Sequence, residues 1–342
     1  MTAVALGFEL EAVPCPLCGA ADVPPVAWLR DVALGVPGEF ALARCRTCGL
    51  WQQNPRVRVD QLEGTYPDDY PRHLGDPELP RLVRDAGTAV RWALAARLGY
   101  RHLDAHEASP LARLWARGSM RRIVETFPPW IGEGRLLDVG CATGKFLRLM
   151  QSVGWRVAGI ELDAAAAAKA RGVTPDVFVG DPGAAPFAPR SFDVITSFHV
   201  VEHLPEPRAA LARMLEWLAP GGLMIVEVPN VGGVGGRVFG RYWSGLDFPR
   251  HLTHFTPATM AAMVERAGGR VVEVRHRTKP RWLIRSARHW LRDRPGNPAR
   301  YARAALDSRA GGGLVKLALE LSLPAARRAG LGEMAQFVIR HR

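Results

Sequence analysis

The sequence predicts an α/β protein, with a parallel sheet covered by helices on both faces and a small four-cysteine module ahead of it. Three observations lead there. Short buried-looking runs such as LLDV, DVIT and LMIVEV alternate with helical stretches after residue 134. A glycine-containing turn joins the first of these runs to the helix that follows it. Two C-x2-C pairs stand near the start of the chain, 26 residues apart.

Taken in order, RLLDVG reads as the first strand and KFLRLMQSVG as a helix closed at Gly154. WRVAGIEL is the second strand, and DAAAAAKARG is a helix closed at Gly172. VTPDVFVGD and FDVITSFHV are the third and fourth strands. A helix follows over PRAALARMLEWLAPGG, and LMIVEVPN is the fifth strand. GGRVVEVRHR, after a helix on TPATMAAMVERAG, and MAQFVIRHR supply two more, making seven. The segment between them, 281–332, is an insertion containing helices. Ahead of the sheet, residues 81–127 read as helical, with Leu82, Val90, Leu94, Leu98, Leu111 and Leu114 on an apolar stripe. Residues 51–80, rich in Pro, Asp and Tyr, read as a linker or lid. The expected division is a metal module over 1–60, a linker and helical lid over 61–130, and the α/β domain over 131–342.

The 342 residues are 48% hydrophobic and 23% charged, enough to build a core without a disulfide scaffold. The apolar runs are shorter than the roughly 20 residues a membrane span needs. The start of the chain, with Glu9 and Glu11 and no basic residues, argues against a secretory signal. The expectation is a reducing cytoplasm, where paired cysteines bind metal more often than they form disulfides. The net charge is +12, and residues 275–342 carry the whole excess, with sixteen Lys or Arg against four Asp or Glu. Such a segment suits nucleic acid, anionic lipid, a phosphorylated substrate or simply solvent.

Cys15-Pro-Leu-Cys18-Gly and Cys45-Arg-Thr-Cys48-Gly have the spacing of two knuckles around one tetrahedral ion. This predicts a closed structural zinc site of four thiolates, in a zinc-ribbon-like module. The fifth cysteine, Cys141, reads as a small packing residue.

The turn Asp138-Val-Gly140-Cys-Ala-Thr-Gly144 lacks the dinucleotide spacing G-x-G-x-x-G. Asp138 stands at the strand end, where it would repel a pyrophosphate but suit a cationic amino acid such as the methionine part of S-adenosylmethionine (SAM). Glu161 lies 21 positions beyond Gly140, placed to accept from ribose hydroxyls. Asp181 follows the third strand and could accept from an adenine amino group. One such acid is unremarkable, whereas three at successive strand ends point to a ligand.

LLDVGCATGKF, VAGIELD, SFDVITSFHVVEHL and LAPGGLMIVEVPN together resemble, in order, the motifs of class I SAM-dependent methyltransferases. The likeness extends to bacterial members with an N-terminal zinc module, including sugar- and polysaccharide-associated enzymes. It implies a Rossmann-like seven-stranded methyltransferase sheet and a SAM site at Asp138, Gly140, Cys141, Ala142, Gly144, Glu161, Leu162 and Asp181. Ala142 departs from the pattern, since many members carry glycine there, and a modest effect is expected. FPRHLTHF, 248–255, resembles the substrate-side loop of that group.

For the chemistry, His199, Glu202 and His203 follow the fourth strand, and His251 and His254 lie on the later loop. Any of these could handle a proton near neutrality. The reading favours His199 or His254 as base, with His203 more at home holding the turn. Arg250 could hold an acceptor's phosphate or carboxylate. Tyr66 and Tyr70 could pack over the acceptor. The expected acceptor is a small molecule, namely a sugar, nucleotide sugar or lipid-linked glycan. The alternative is an RNA methyltransferase that uses the zinc module and basic segment. RWLIRSARHWLR, 281–292, sets Arg281, Arg285, Arg288 and Arg292 on one helical stripe and could make peripheral contact with an anionic membrane.

Overall fold

The computed structural model describes residues 7–66, 87–103 and 108–342. Leu82 and Tyr70 lie outside them. Five strands come first: β1 (Leu10–Glu11), β2 (Pro25–Leu29), β3 (Phe40–Arg44), β4 (Trp51–Gln53) and β5 (Arg56–Val57). Helices α1 (Gly87–Leu98) and α2 (Pro110–Thr126) follow. The α/β series then runs β6 (Arg135–Val139), α3 (Lys145–Gln151), β7 (Arg156–Glu161), α4 (Ala164–Ala170), β8 (Val177–Val179) and β9 (Phe192–Phe198). It continues through α5 (Pro207–Trp217), β10 (Leu218–Pro229), α6 (Val234–Phe239), β11 (Thr253–His254), α7 (Pro257–Arg266) and β12 (Gly269–Arg277). Helices α8 (Pro280–Arg292), α9 (Asn297–Asp307) and α10 (Arg309–Arg328) precede β13 (Met334–His341).

Apart from β11, the strands from β6 to β13 form a seven-stranded sheet in the order β12-β13-β10-β9-β6-β7-β8. β6 lies parallel to β7 and β9, and β7 parallel to β8, with Asp138 opposite Gly159 and Thr196. A second sheet, β11-β4-β3-β2, is antiparallel. The expected seven strands are thus present, and the insertion contains three helices. The fifth strand starts earlier than expected, at Leu218, because Pro220 has no backbone donor with which to prolong α5.

Local chemistry sets the helix starts. Asp163 Oδ1 accepts from the Ala166 amide at 2.6 Å, capping a helix made mostly of alanine, the best helix former. Thr256 and Thr259 form a reciprocal capping box ahead of α7, with Pro257 at its first position.

The chain divides into two compact units, and neither is a continuous segment. Among the described residues, the first takes in 7–66, 199–209 and 226–337, and the second 87–103, 108–198, 210–225 and 338–342. Within the first unit, the module around the cysteines clusters with the later loop and the insertion. In the second unit, Leu136, Leu147, Met150, Trp155, Val194 and Ile123 belong to one core. In the first, Leu29, Phe40, Val57, Trp243, Leu246 and Phe248 form another. Leu111 and Leu114, expected on the buried stripe, are exposed; Ala116 and Ile123 carry the buried face of α2 instead.

Candidate functional site

In the second unit, the glycine turn follows β6 directly. The Gly140 and Cys141 amides both donate to the Ile160 carbonyl of β7, at 2.8 and 3.0 Å. Ala142 sits at φ +48, in the left-handed region that favours glycine. Its amide donates to Glu161 Oε2 at 2.8 Å, while Glu161 Oε1 accepts from the Asp163 amide at 2.9 Å. Glu161 therefore ties the turn to the end of β7. Gly144, at φ +76, starts α3, and a Cβ there would meet the Ala170 backbone at 2.9 Å. Cys141 is buried against Gly159, where a Cβ would come within 2.6 Å of its sulfur, so it is a packing residue and its thiol is pushed up by burial.

Asp138 is buried, and its Oδ1 accepts from the Thr196 hydroxyl at 2.7 Å. Burial raises its carboxyl to about 7; the Thr196 hydrogen bond works against this and the Glu161 carboxylate adds to it. Among the described residues, no cationic side chain is one of the groups acting on it. Buried this way, the carboxyl either keeps a proton or gains a cationic partner. Asp181 is exposed, and its Oδ1 accepts from the Gly183 amide at 2.7 Å. Leu162, also exposed, follows β7.

The first unit gathers the remaining candidates. His199, at φ +58, lies between two buried carboxylates, with Nδ1 3.4 Å from Glu202 Oε1 and Nε2 3.3 Å from Glu227 Oε1. Burial disfavours its charged form, but the two carboxylates outweigh this and lift it to about 9. The other oxygen of Glu227 takes Arg277 Nη1 at 2.6 Å. Burial would raise the Glu227 carboxyl, but Arg277 and His199 hold it well below the usual range. His203 Nδ1 lies 3.0 Å from the Tyr66 hydroxyl and 3.1 Å from the Arg250 carbonyl, which keeps this side chain in the turn. Burial, then the charge of His251, lowers it to about 4. His251 Nδ1 contacts the Gly245 carbonyl at 2.9 Å, and its Nε2 is 4.0 Å from Glu202 Oε1. His254 is buried, lowered to about 3 by burial and by His251, and its Nε2 has no hydrogen-bond partner. Both oxygens of Glu202 also lack a hydrogen bond. Ligand atoms of Glu202, His203 and His251 lie within 4.8 Å of one another, a donor set able to hold a divalent cation.

Arg250 is not available to an acceptor. Its guanidinium is wholly buried, paired with Asp31 and Asp247 at 2.8 Å each, and donates to the Thr65 and Phe248 carbonyls. Sequence reasoning missed Glu227, although a lone charge inside the apolar run LMIVEV was a sign of it. The partnership of Tyr66 with His203 spans 137 positions and left no local sign.

The four paired cysteines also meet in the first unit, their Sγ atoms all within 4.8 Å of one another. The Cys15–Cys48 and Cys18–Cys45 sulfurs are 3.5 Å apart, and no cysteine is in a disulfide. A tetrahedral zinc with bonds near 2.3 Å needs sulfurs about 3.8 Å apart, so the set fits that ion. The two knuckles have the same build: the amides of Gly19 and Gly49 donate to the carbonyls of Cys15 and Cys45 at 2.8 and 2.9 Å, with φ +77 and +74.

Residues 111–274 match the family described as methyltransferase domain. Among curated relatives, a ubiquinone biosynthesis O-methyltransferase of Thiobacillus denitrificans is 33% identical over 132 residues, covering 36% of this chain and 53% of that protein. A malonyl-[acyl-carrier protein] O-methyltransferase of Serratia marcescens is 30% identical over 127 residues, covering 36% and 49%. The chain thus spans about half the length of the curated relatives it matches. Among solved structures, a SAM-dependent methyltransferase of Archaeoglobus fulgidus is 19% identical, covering 67% of this chain and 94% of that one, with a TM-score of 0.43. The family match over 111–274 and the order of the seven strands make this an α/β Rossmann-like methyltransferase fold.

Proposed function

We propose that this protein transfers a methyl group from SAM to a small-molecule acceptor: a sugar, a nucleotide sugar or a lipid-linked glycan. One observation carries the cofactor assignment. Asp138, Glu161 and Asp181 stand at or near the ends of three neighbouring parallel strands, beside a left-handed turn, and Asp138 is buried with no countercharge among the described residues. The relatives named as a ubiquinone biosynthesis O-methyltransferase and a malonyl-[acyl-carrier protein] O-methyltransferase support a small acceptor in kind, not in identity.

SAM supplies a methyl on a positively charged sulfur. An acceptor taking that methyl would displace the sulfur and would have to give up a proton, so the chain's own residues must hold both partners and receive that proton. Asp138 would hold the ammonium, Glu161 the ribose hydroxyls and Asp181 the adenine amine, while Gly140, Cys141, Ala142 and Gly144 form the turn beneath them and Leu162 offers an apolar side chain. His199, cationic at neutral pH, cannot accept a proton there and would instead donate a hydrogen bond to an acceptor oxygen. His254, kept uncharged by burial and with no hydrogen bond to its Nε2 among the described residues, is our candidate to accept the proton. We further propose that Cys15, Cys18, Cys45 and Cys48 hold one structural zinc in a reducing cytoplasm.

The test is labelled methyl transfer from SAM into fractionated cell extract. Label in the soluble or lipid-glycan pool is expected, whereas label mainly in RNA would replace this acceptor class with the nucleic-acid one. Asp138→Ala should weaken SAM binding at least tenfold by calorimetry, as expected for losing a buried charged contact.

A further inference from the structure

The insertion leaves an apolar stripe in water. Helix α10 packs on α8, α9 and β12. The face it turns inward carries Leu323, which is buried, and Leu319, which is half-buried. On the opposite face, Ala310, Leu314, Leu317, Ala318, Leu321 and Ala325 fall on one line of the helix. Leu314 is 68% exposed, Leu317 54% and Leu321 74%. From Ala310 to Ala325 the stripe runs about 22 Å. Beside it, α9 exposes Tyr301, with the Arg300 guanidinium 5.8 Å from its ring. Residues 280–328 hold eleven Lys or Arg against three Asp or Glu.

Helix α8 plays a different part from the one its sequence suggests. Its apolar side faces inward through Leu283, and Ser286 and His289 are buried with it. Its arginine stripe is outward but engaged: Arg288 pairs with Asp307 at 2.7 Å, and Arg292 donates to the Val32 carbonyl at 2.6 Å. α8 contributes charge, while the exposed apolar side belongs to α10.

We propose that the α10 stripe lies on an anionic lipid surface. A helix that served only to cover the protein would turn polar residues outward, yet this one is apolar on both faces. A second copy is a poor occupant, because it would bring two strongly cationic insertions together. An anionic bilayer meets both needs at once, giving the leucines an apolar layer and the arginines countercharge. Tyr301 beside Arg300 is the amphipathic pairing suited to the headgroup level. The inference stands independently of methyl transfer, since it rests on the insertion alone.

The experiment is co-sedimentation of the full chain with vesicles of phosphatidylcholine, with and without phosphatidylglycerol. Binding is expected only when phosphatidylglycerol is present, and it should weaken with salt. The L317S/L321S variant alters exposed positions only, and circular dichroism and a thermal melt check its fold. It should bind about tenfold less or weaker still, since two leucines lose their apolar layer. Wild-type chain that ignores anionic vesicles overturns the proposal, as does unchanged binding by L317S/L321S. A concentration-dependent dimer in sedimentation velocity that L317S/L321S dissociates would make the stripe an interface between copies and overturn it as well.

Discussion

Ala142 occupies a backbone conformation that costs an L-residue roughly 1 kcal/mol or more, at φ +48 in the turn that follows β6. Ala142→Gly should therefore raise stability by up to about 1 kcal/mol, less whatever the unfolded chain gains in freedom. Urea unfolding reads this, and a loss of stability would show the turn to be unstrained. Asp138 gives a sharper signature. With its carboxyl raised to about 7, it is largely protonated below that pH. A cation binding beside it must displace the proton. SAM affinity should rise as pH climbs through 7, and calorimetry below pH 7 in buffers of different ionisation enthalpy should detect proton release. His199 works with the opposite sign. Its folded value, about 9, exceeds its ordinary 6.5, so its stabilisation is complete below about 6.5 and is lost as pH rises through 9. Glu202 and Glu227 are both held low, and their contribution is present above the usual carboxylate range and lost in acid. His199→Gln leaves two buried carboxylates without their shared cation and should cost about 3 kcal/mol. The fall in melting temperature of the wild type near pH 9 should disappear in that variant.

At the scale of elements, the cysteine knuckles and the histidine loop are joined by a ladder. β4 pairs with β3 on one side and with β11 on the other, setting Trp51 opposite His254 and Gln52 opposite Thr253. Removing the metal, by chelation or by the C45S/C48S variant, should loosen β3 and β4 and with them the backbone that positions His254. Hydrogen exchange at Gln53, whose amide donates to the Leu252 carbonyl at 2.8 Å, should speed up measurably in the metal-free protein. Unchanged exchange would mean that the knuckles stand alone. The elements also show what a sequence can reveal. Both knuckles and the turn at 138–144 are built from neighbouring residues, so their spacing displayed them. The buried strands showed as apolar runs because helices cover them. The surroundings of His199 did not show, because they assemble from 199–203, 227, 247–254, 277 and 282, and nothing local records that meeting. Arg250 was misread for the same reason: Asp31, 219 positions away, occupies it.

At the scale of the whole molecule, the chain alternates between its two compact units, so neither can be cut out as one piece. A division at residue 60 looks natural from the cysteine spacing, and the core argues against it. Leu29, Phe40 and Val57 pack with Trp243, Leu246 and Phe248, which come from the opposite side of such a cut. Arg250 would lose Asp31 and the Thr65 carbonyl if residues 1–66 were removed, leaving a buried guanidinium short of its partners. Each apolar side chain returned to water forfeits roughly 1.5–3 kcal/mol, and losing several such contacts approaches the whole stability of a typical domain. The fragment 67–342 should therefore be largely insoluble, or bind a hydrophobic dye strongly where the full chain does not. Adding back residues 1–66 as a separate, zinc-loaded peptide should restore solubility, because the lost contacts are noncovalent. A fragment that stays soluble, dark to the dye and cooperative in its melt would show the front module to be a removable appendage, and the second core would then need another account.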